Sequence, residues 1–114
     1  MQELIKHRTL WLDAYYSGDH HRLRDLESDD FFIEQNKQVD KSKQRYQHIA
    51  HMVKHKKWQP ERLTEKEVKF NKISDIEYLV TGTAFSNAIT IEFKEKWLIE
   101  QQRWCIVSLV MISI

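Results

Sequence analysis

The sequence predicts an α+β fold in which a curved antiparallel sheet wraps around about three N-terminal helices. Two observations support this prediction. Residues 2–57 hold most of the segments whose apolar residues recur at helical spacing, whereas residues 91–112 have the pattern of paired strands. The first half of that closing run alternates apolar and polar side chains, and its second half is almost continuously apolar. Helices followed by a run of strands are typical of an α+β domain.

Two helices are predicted at the N-terminus, over residues 2–17 and 20–26. The first segment contains neither Gly nor Pro, and its apolar residues form one broad stripe on a helical wheel. That stripe consists of Leu4, Ile5, Trp11, Leu12, Tyr15 and Tyr16. Gly18 is placed to end the first helix, because glycine readily adopts the left-handed conformation of a C-cap. Asp19 is placed to cap the second helix with its carboxylate.

An early strand and a third helix follow. Residues 31–35 form a strand candidate, and residues 36–37 are suited to a turn. Asp40 or Ser42 can then cap a helix that runs to about residue 57. Its inward stripe is predicted to be Tyr46, Ile49, Ala50 and Val53.

Four strands complete the chain, over residues 63–73 and 77–87 and in the closing pair. A turn at residues 101–102 would place Ile99 opposite Trp104 and Trp97 opposite Ile106. Cross-strand apolar pairs of this kind each stabilise a sheet by roughly 0.2–1 kcal/mol.

Strict alternation divides the last strand into two apolar faces. One face is predicted to carry Cys105, Val107, Leu109 and Met111, and the other Trp104, Ile106, Val110 and Ile112. One of these faces should meet the helices. Because an exposed apolar patch of this size is unusual on a monomer, we expect the other face to be buried in a homodimer.

The length, composition and net charge of the chain limit the classes of function that it can have. The 114 residues suffice for one domain, residues 1–114, and 41% of them are hydrophobic. The formal net charge of +1 provides no overall field that would select nucleic acid or a membrane surface. No run approaches the roughly 20 apolar residues of a membrane-spanning helix.

The single cysteine, Cys105, cannot form an intramolecular disulfide, and its place in an apolar run is typical of a small core residue. A reducing compartment is the natural interpretation. Residues 1–8 lack the apolar segment and cleavage site of a signal peptide, so we expect a cytoplasmic location.

A set of residues spread over nearly the whole chain has a familiar spacing. The set is Trp11, Ala14-Tyr15, Gly18-Asp19, Asp29-Asp30 at the start of a strand, Glu95-Lys96-Trp97 and Arg103-Trp104-Cys105-Ile106-Val107. It resembles the SnoaL-like branch of the nuclear transport factor 2-like superfamily, which also holds the ketosteroid isomerases and scytalone dehydratase. The resemblance implies a cone-shaped α+β fold, a pocket between the helices and the concave face of the sheet, and homodimers formed through the sheet.

The resemblance also implies where isomerase chemistry would lie. In the isomerases a tyrosine on the first helix donates to the oxyanion, a carboxylate on the first strand is the general base, and a late acid assists the donor. By position these sites fall on Trp11, Gln35 and, roughly, Glu95. An indole N–H is a weak donor and glutamine cannot accept the proton, so we do not expect steroid-type isomerase chemistry.

Glu95, Arg8 and Tyr15 are the candidates for any other catalysis. Glu95 shares a face with Phe93 and Trp97, so it should point into the core or a cavity, where burial would raise its pKa. The alternative is a solvated carboxylate at the mouth of the cone. Arg8 lies inside the apolar stripe of the first helix, where it can pair with Glu95, bind a ligand carboxylate, or extend its stem to the protein edge.

His48, His51 and His55 lie on one face of the third helix, and the last two have the spacing of a zinc-binding pair. We expect that face to be exposed, and it has no carboxylate or cysteine to complete a site. No metal site and no cofactor are therefore predicted. The lysines of the same helix are followed by glutamates, which favours a solvated face over a nucleic-acid platform.

The favoured function is the binding of a small apolar or planar molecule, with catalysis left open. The predicted pocket residues are Trp11, Tyr15, Gln35, Glu95, Trp97 and Ser108. Aromatic walls with few ionisable groups suit such a ligand. Two alternatives are a protein-interaction and dimerisation module, and a small lyase, isomerase or hydrolase that uses Glu95 as base with Arg8 or Tyr15 as its helper. An open cavity at Trp11 and Gln35 would favour a ligand or a substrate; solid packing there would favour a partner.

Overall fold

A computed structural model describes residues 1–114 and contains three helices and six strands. The helices are α1 (Gln2–Ser17), α2 (His20–Leu26) and α3 (Gln44–Lys54). The strands are β1 (Glu27–Gln35), β2 (Gln38–Asp40), β3 (Thr64–Ser74), β4 (Glu77–Phe85), β5 (Thr90–Glu100) and β6 (Arg103–Ser113). The predicted α+β class is confirmed.

All six strands form one sheet in the order β2-β1-β6-β5-β4-β3. Four of the neighbouring pairs are antiparallel, as predicted, but β1 and β6 are parallel. The sheet is therefore mixed, and the last strand of the chain lies inside it, between the first strand and the fifth. This position gives the backbone of β6 hydrogen-bonding partners along both of its edges.

The first two helices have the predicted bounds. Gly18 ends α1 in the left-handed conformation, with φ of 78°, and its N–H donates to the carbonyl of Tyr15. A Cβ atom at this glycine would lie 2.4 Å from Cγ2 of Val53, so glycine is required by space as well as by conformation. Asp19 caps α2 by accepting a hydrogen bond from the Arg22 N–H at 3.1 Å.

The third helix is shorter than predicted, because it ends at Lys54 and not near residue 57. Lys56 has a positive φ of 57°, which turns the chain out of the helix. Beyond the turn, the indole N–H of Trp58 donates to the Tyr15 carbonyl at 2.8 Å and ties this loop to α1. At the other end, the N-cap residue is Lys43 and not the predicted Asp40 or Ser42, although the Ser42 hydroxyl, one residue earlier, accepts a hydrogen bond from the Gln44 N–H at 3.1 Å.

The first strand begins at Glu27, earlier than the predicted residue 31. Glu27 pairs with Ile106 of β6, and a register shift separates that pairing from the one between Phe32 and Ser108. The polar residues between them interrupt the alternation that would otherwise reveal the strand.

The closing hairpin confirms the predicted register. Gln101 and Gln102 form the turn with φ of 50° and 67°, and Ile99 pairs with Trp104 and Trp97 with Ile106. Positive φ at both turn residues matches the twist of a tight antiparallel hairpin.

The predicted division of β6 into two faces is wrong beyond residue 106. Trp97 pairs with Ile106, but the next residue of β5, Lys96, pairs with Ser108, so Val107 is the extra residue of a bulge. The bulge moves every later side chain to the opposite face. We call the face towards α1 the inner face: it carries Trp104, Ile106, Leu109 and Met111 of β6. The outer face carries Ser108, Val110 and Ile112.

The hydrophobic core fills the space between the helices and the inner face. Its largest fully buried side chains are Trp97, Leu4, Leu23, Ile49 and Ile106. None of the helices has the length and apolar character needed to cross a membrane.

Candidate functional site

A hollow of about 370 Å³ separates α1 from the inner face of the sheet. We call it the α1 hollow. Its walls are mostly apolar and come from α1, one residue of α3, every strand except β2, and the loops before β3 and β5. The lining residues are Trp11, Leu12, Tyr15, Tyr16, Ile33, Gln35, Arg45, Glu61, Leu63, Glu65, Ala84, Ile89, Ile91, Phe93, Glu95, Leu109 and Met111.

Four of the six predicted pocket residues therefore lie together: Trp11, Tyr15, Gln35 and Glu95. The other two do not line the hollow. Trp97 is 0% exposed and is covered by Trp11, whose ring meets it edge to face at 5.9 Å. Ser108 lies on the outer face, because the bulge at Val107 reverses the orientation of the residues that follow it.

A second hollow of about 730 Å³ lies beside the first, next to α3 and the turn between β1 and β2. We call it the α3 hollow. It is the more polar of the two, with Asp40, His48 and Gln38 among its lining residues. Both hollows are lined by Tyr15, Ile33, Gln35, Arg45 and Met111. Gln35 therefore lies where they meet, near the end of the first strand.

Arg8 is held between two carboxylates at the wall of the α1 hollow. Its Nε and Nη2 atoms donate to Oε1 and Oε2 of Glu95, each at 2.8 Å. Its Nη1 and Nη2 atoms donate to Oε1 and Oε2 of Glu65 at 3.1 and 2.6 Å. The Arg8 side chain is 8% exposed, so it is buried in ion pairs and does not extend to the protein edge. Of the three roles predicted for Arg8 from the sequence, the structure shows the ion pair with Glu95.

Burial and the ion pairs act on the ionisation of Glu95 and Arg8 in opposite directions. Burial raises the pKa of Glu95, whose side chain is 2% exposed, and the hydrogen bonds from Arg8 and Trp97 oppose that rise only in part. Burial disfavours the charge of Arg8, but its hydrogen bonds to Glu95 and Glu65 outweigh this effect and raise the arginine pKa. Burial is thus the main reason for the raised pKa of Glu95, and the negative charge of Glu65 adds to it as a smaller cause.

The carboxylate of Glu95 is largely occupied by these contacts. Oε1 accepts from both Arg8 and the Trp97 indole N–H, the latter at 2.9 Å, and Oε2 accepts from Arg8. Transfer of a proton to either oxygen would weaken the charge-assisted hydrogen bonds that hold Arg8 in place. This geometry therefore suits Glu95 to a structural role better than to the role of a general base.

A second buried cluster lies around Glu27, a residue that sequence reasoning missed. Its carboxylate accepts from the Trp11 indole N–H at 2.9 Å, from the Tyr46 hydroxyl at 2.5 Å, and from two nitrogens of Arg45 at 2.9 and 3.0 Å. The Trp11 N–H is thus directed to Glu27 and is not available to a ligand oxyanion. Burial and the hydrogen bond to Glu27 raise the pKa of Tyr46.

Tyr15 remains a candidate for ligand contact. It lines both hollows, and its ring meets those of Trp58 and Tyr16 edge to face at 5.5 and 5.4 Å. Burial raises the pKa of its hydroxyl, so the tyrosine stays neutral and able to donate at physiological pH.

The histidine face of α3 is exposed, as predicted. The rings of His51 and His55 lie 4.4 Å apart, while His48 lines the α3 hollow. The structure contains no group of three or more His, Cys, Asp or Glu side chains placed to hold a metal ion.

No protein-family model and no curated protein matches the sequence. Solved structures do match the fold. A nuclear transport factor 2-like protein from Cytophaga hutchinsonii superposes with a TM-score of 0.80 at 12% identity, over 97% of this chain and 95% of that chain. A nuclear transport factor 2-like protein of unknown function in nutrient uptake, from Rhodospirillum rubrum, gives 0.75 at 17% identity, over 97% and 98%.

A provisionally assigned ketosteroid isomerase from Shewanella frigidimarina gives a TM-score of 0.71 at 14% identity, over 93% of this chain and 91% of that chain. At these identities the likeness concerns the fold and not the activity. The agreement nevertheless extends over nearly the whole of each chain, helices and sheet together. The chain therefore has the nuclear transport factor 2-like fold.

Proposed function

We propose that the protein is a SnoaL-like domain that binds a small, largely apolar molecule in the α1 hollow. The observation that carries the proposal is an open cavity of about 370 Å³ that touches both Trp11 and Gln35. A non-catalytic interaction module would be expected to pack these side chains solidly. Cavities of this size are at the lower end of those that enclose small organic ligands.

The shape and chemistry of the walls indicate the kind of ligand. Phe93, Ile91, Leu109 and Met111 provide an apolar floor on the inner face, and Tyr15 and Tyr16 provide aromatic rings on α1. A planar molecule of one or two fused rings suits such a site, because aromatic side chains bury flat surfaces efficiently.

Binding without turnover is favoured over catalysis. The first-strand position has Gln35 in place of a carboxylate, and the Glu95 carboxylate is engaged by Arg8 and Trp97. Neither residue offers the free, proton-accepting oxygen that a general base needs.

The test uses 2-naphthalenemethanol, a neutral two-ring probe, in isothermal titration calorimetry. Leu109→Trp fills the α1 hollow from its floor, and Thr83→Trp adds a tryptophan to the outer face on β4, two strands away. We expect wild type and Thr83→Trp to bind equally, and Leu109→Trp to bind at least about tenfold more weakly, a loss of about 1.4 kcal/mol. Thermal melting checks that both variants are folded. No binding by wild type, or equal binding by both variants, would refute the proposal.

The outer face supports a homodimer as the second part of the proposal. Val110 and Ile112 lie there, Phe32 of the neighbouring β1 is paired with Ser108 on the same face, and Ile112 is 54% exposed. An apolar strip of this kind is stabilised by pairing with a second copy. Ile112→Asp should shift sedimentation towards the monomer, whereas Ile73→Asp, at an equally exposed isoleucine of β3, should not. A wild-type monomer at micromolar concentration would contradict the dimer.

A cytoplasmic location is proposed on the evidence of Cys105. The thiol is free and buried, and burial raises its pKa. An unpaired, unreactive cysteine suits a reducing compartment.

A further inference from the structure

The polar groups at the wall of the α1 hollow carry an excess of negative charge. Three carboxylates line it, those of Glu61, Glu65 and Glu95, and only one arginine, Arg45, does so. Arg45 is already paired with Glu27, and Arg8 behind the wall is shared by Glu65 and Glu95. Counted together, Arg8 and Arg45 supply two positive charges, whereas Glu27, Glu61, Glu65 and Glu95 supply four negative charges. Even with a proton on Glu95, whose pKa is raised, the group keeps one uncompensated negative charge.

The side-chain atoms of the wall that can still form hydrogen bonds are acceptors. Each oxygen of Glu65 accepts one hydrogen bond from Arg8, which leaves a second acceptor site on each, and the side chain is 30% exposed. Glu61 accepts from the Ser86 hydroxyl through Oε1 at 3.0 Å, and its second oxygen is not used in that bond. The guanidinium donors of Arg8 are meanwhile directed at Glu65 and Glu95 and not into the cavity.

We infer that the ligand of the α1 hollow is a cation: a small aromatic or apolar body carrying a primary or secondary ammonium group that pairs with Glu65 and Glu61. This inference rests on the proposed function and adds the charge of the ligand to it. The aromatic ring of Tyr15 favours the same charge, because the face of an aromatic ring attracts a cation, whereas Phe93 and Tyr16 already hold Arg8 and Arg62 over one face. A carboxylate ligand is disfavoured, since Arg8 has no place for a third carboxylate and Glu65 would repel it.

One further positive charge lies near the mouth. Arg62 stacks on the ring of Tyr16, with Cζ 4.2 Å from the ring centroid, but it does not line the hollow. Replacing Arg62 by a neutral residue should therefore slightly strengthen the binding of a cation.

Three probes with the same naphthalene body test the inference by calorimetry at low ionic strength. They are 2-naphthylmethylamine, 2-naphthalenemethanol and 2-naphthoate, which are respectively positive, neutral and negative at pH 7. We expect the amine to bind at least about tenfold more tightly than the alcohol, and the carboxylate to bind most weakly. Added salt should reduce the advantage of the amine and leave the alcohol nearly unaffected.

Two charge-neutralising variants locate the effect. Glu61→Gln should reduce the amine-to-alcohol ratio about threefold, the size expected for one partly exposed ion pair. Glu92→Gln makes the same change on the outer face and should leave the ratio as in wild type. If the alcohol binds in the hollow but the amine binds no more tightly, or the carboxylate binds best, this inference is overturned while the proposed function stands. If none of the three probes binds, both fail.

Discussion

Arg8 and Glu95 form a two-point ion pair, with both donor–acceptor distances at 2.8 Å, that joins the first helix to the fifth strand across 87 residues of chain. The pair lies at the wall of the α1 hollow, and Glu65 of β3 completes it. The Arg8 guanidinium thus holds α1, β3 and β5 together. The shape of the hollow should depend on this cluster.

Arg8→Met should destabilise the protein by about 3–5 kcal/mol at pH 7, because it leaves two carboxylates without their cation. The loss of unfolding free energy should be smaller at pH 5 than at pH 7. Burial already raises the pKa of Glu95 above 4.5, and removal of the opposing hydrogen bonds from Arg8 raises it further, so the folded variant takes up a proton as the pH falls. Urea unfolding at pH 5 and pH 7 measures both effects.

The matched control is Arg22→Met, which removes an arginine that is also ion-paired, with Asp19, but is 52% exposed. Its cost should be below about 1 kcal/mol at either pH. Equal costs for the two substitutions would show that the buried cluster is not the anchor described above.

Tyr46→Phe should cost about 1–2 kcal/mol between pH 7 and 9, since it removes a hydrogen bond to the Glu27 carboxylate. This difference should shrink above pH 10. The pKa of Tyr46 is raised from 10.0 by burial and by Glu27, so only the unfolded chain releases the proton there, and wild-type stability falls as the pH rises. Unfolding free energies from pH 7 to 11.5 test this, and a constant difference would contradict it.

Gly18→Ala should cost about 2–4 kcal/mol, from a left-handed conformation and from overpacking against Val53. Val53→Ala removes the atom nearest to the new methyl group. In that background the cost of Gly18→Ala should fall by about 1 kcal/mol, and the left-handed conformation and the close contact with Cδ1 of Trp58, at 2.9 Å, should keep the rest. A double-mutant cycle in urea measures the coupling, and the absence of coupling would mean that the helix end relaxes freely.

Replacing Gln101-Gln102 by Asn-Gly should stabilise the protein by about 0.5–1 kcal/mol. Both residues have positive φ, which Asn and Gly adopt at less cost than Gln. Ala88→Gly is the control, because Ala88 lies in another loop between strands and has no positive φ. Stabilisation by both changes, or by neither, would argue against a specific effect of the turn.

Local signals predicted the fold well. The bounds of α1 and α2 follow from Gly18 and Asp19, which act within one helical turn of their own positions. The hairpin register follows from the short turn at residues 101–102, which leaves little freedom in how the two strands align.

Contacts between residues far apart in the chain could not be predicted from local sequence signals. Glu27 follows a helix directly, and only the folded chain brings Trp11, Arg45 and Tyr46 to its carboxylate. Glu65 lies among other charged residues in the sequence, and nothing in its local pattern indicates the contact with Arg8. The bulge at Val107 is hidden because nearly every residue around it is apolar, so alternation carries no signal there. That single extra residue places Ser108 outside and Leu109 inside.

The most direct measurement of the central claim is a methyl-detected NMR titration of the wild-type protein with 2-naphthalenemethanol. The three methionines serve as reporters, because Met111 lines the α1 hollow while Met1 and Met52 do not. The account predicts that the methyl signals of Met111 and Leu109 shift together and that those of Met1 and Met52 stay in place. Shifts confined to Val110 and Ile112 on the outer face, with Met111 unmoved, would contradict it.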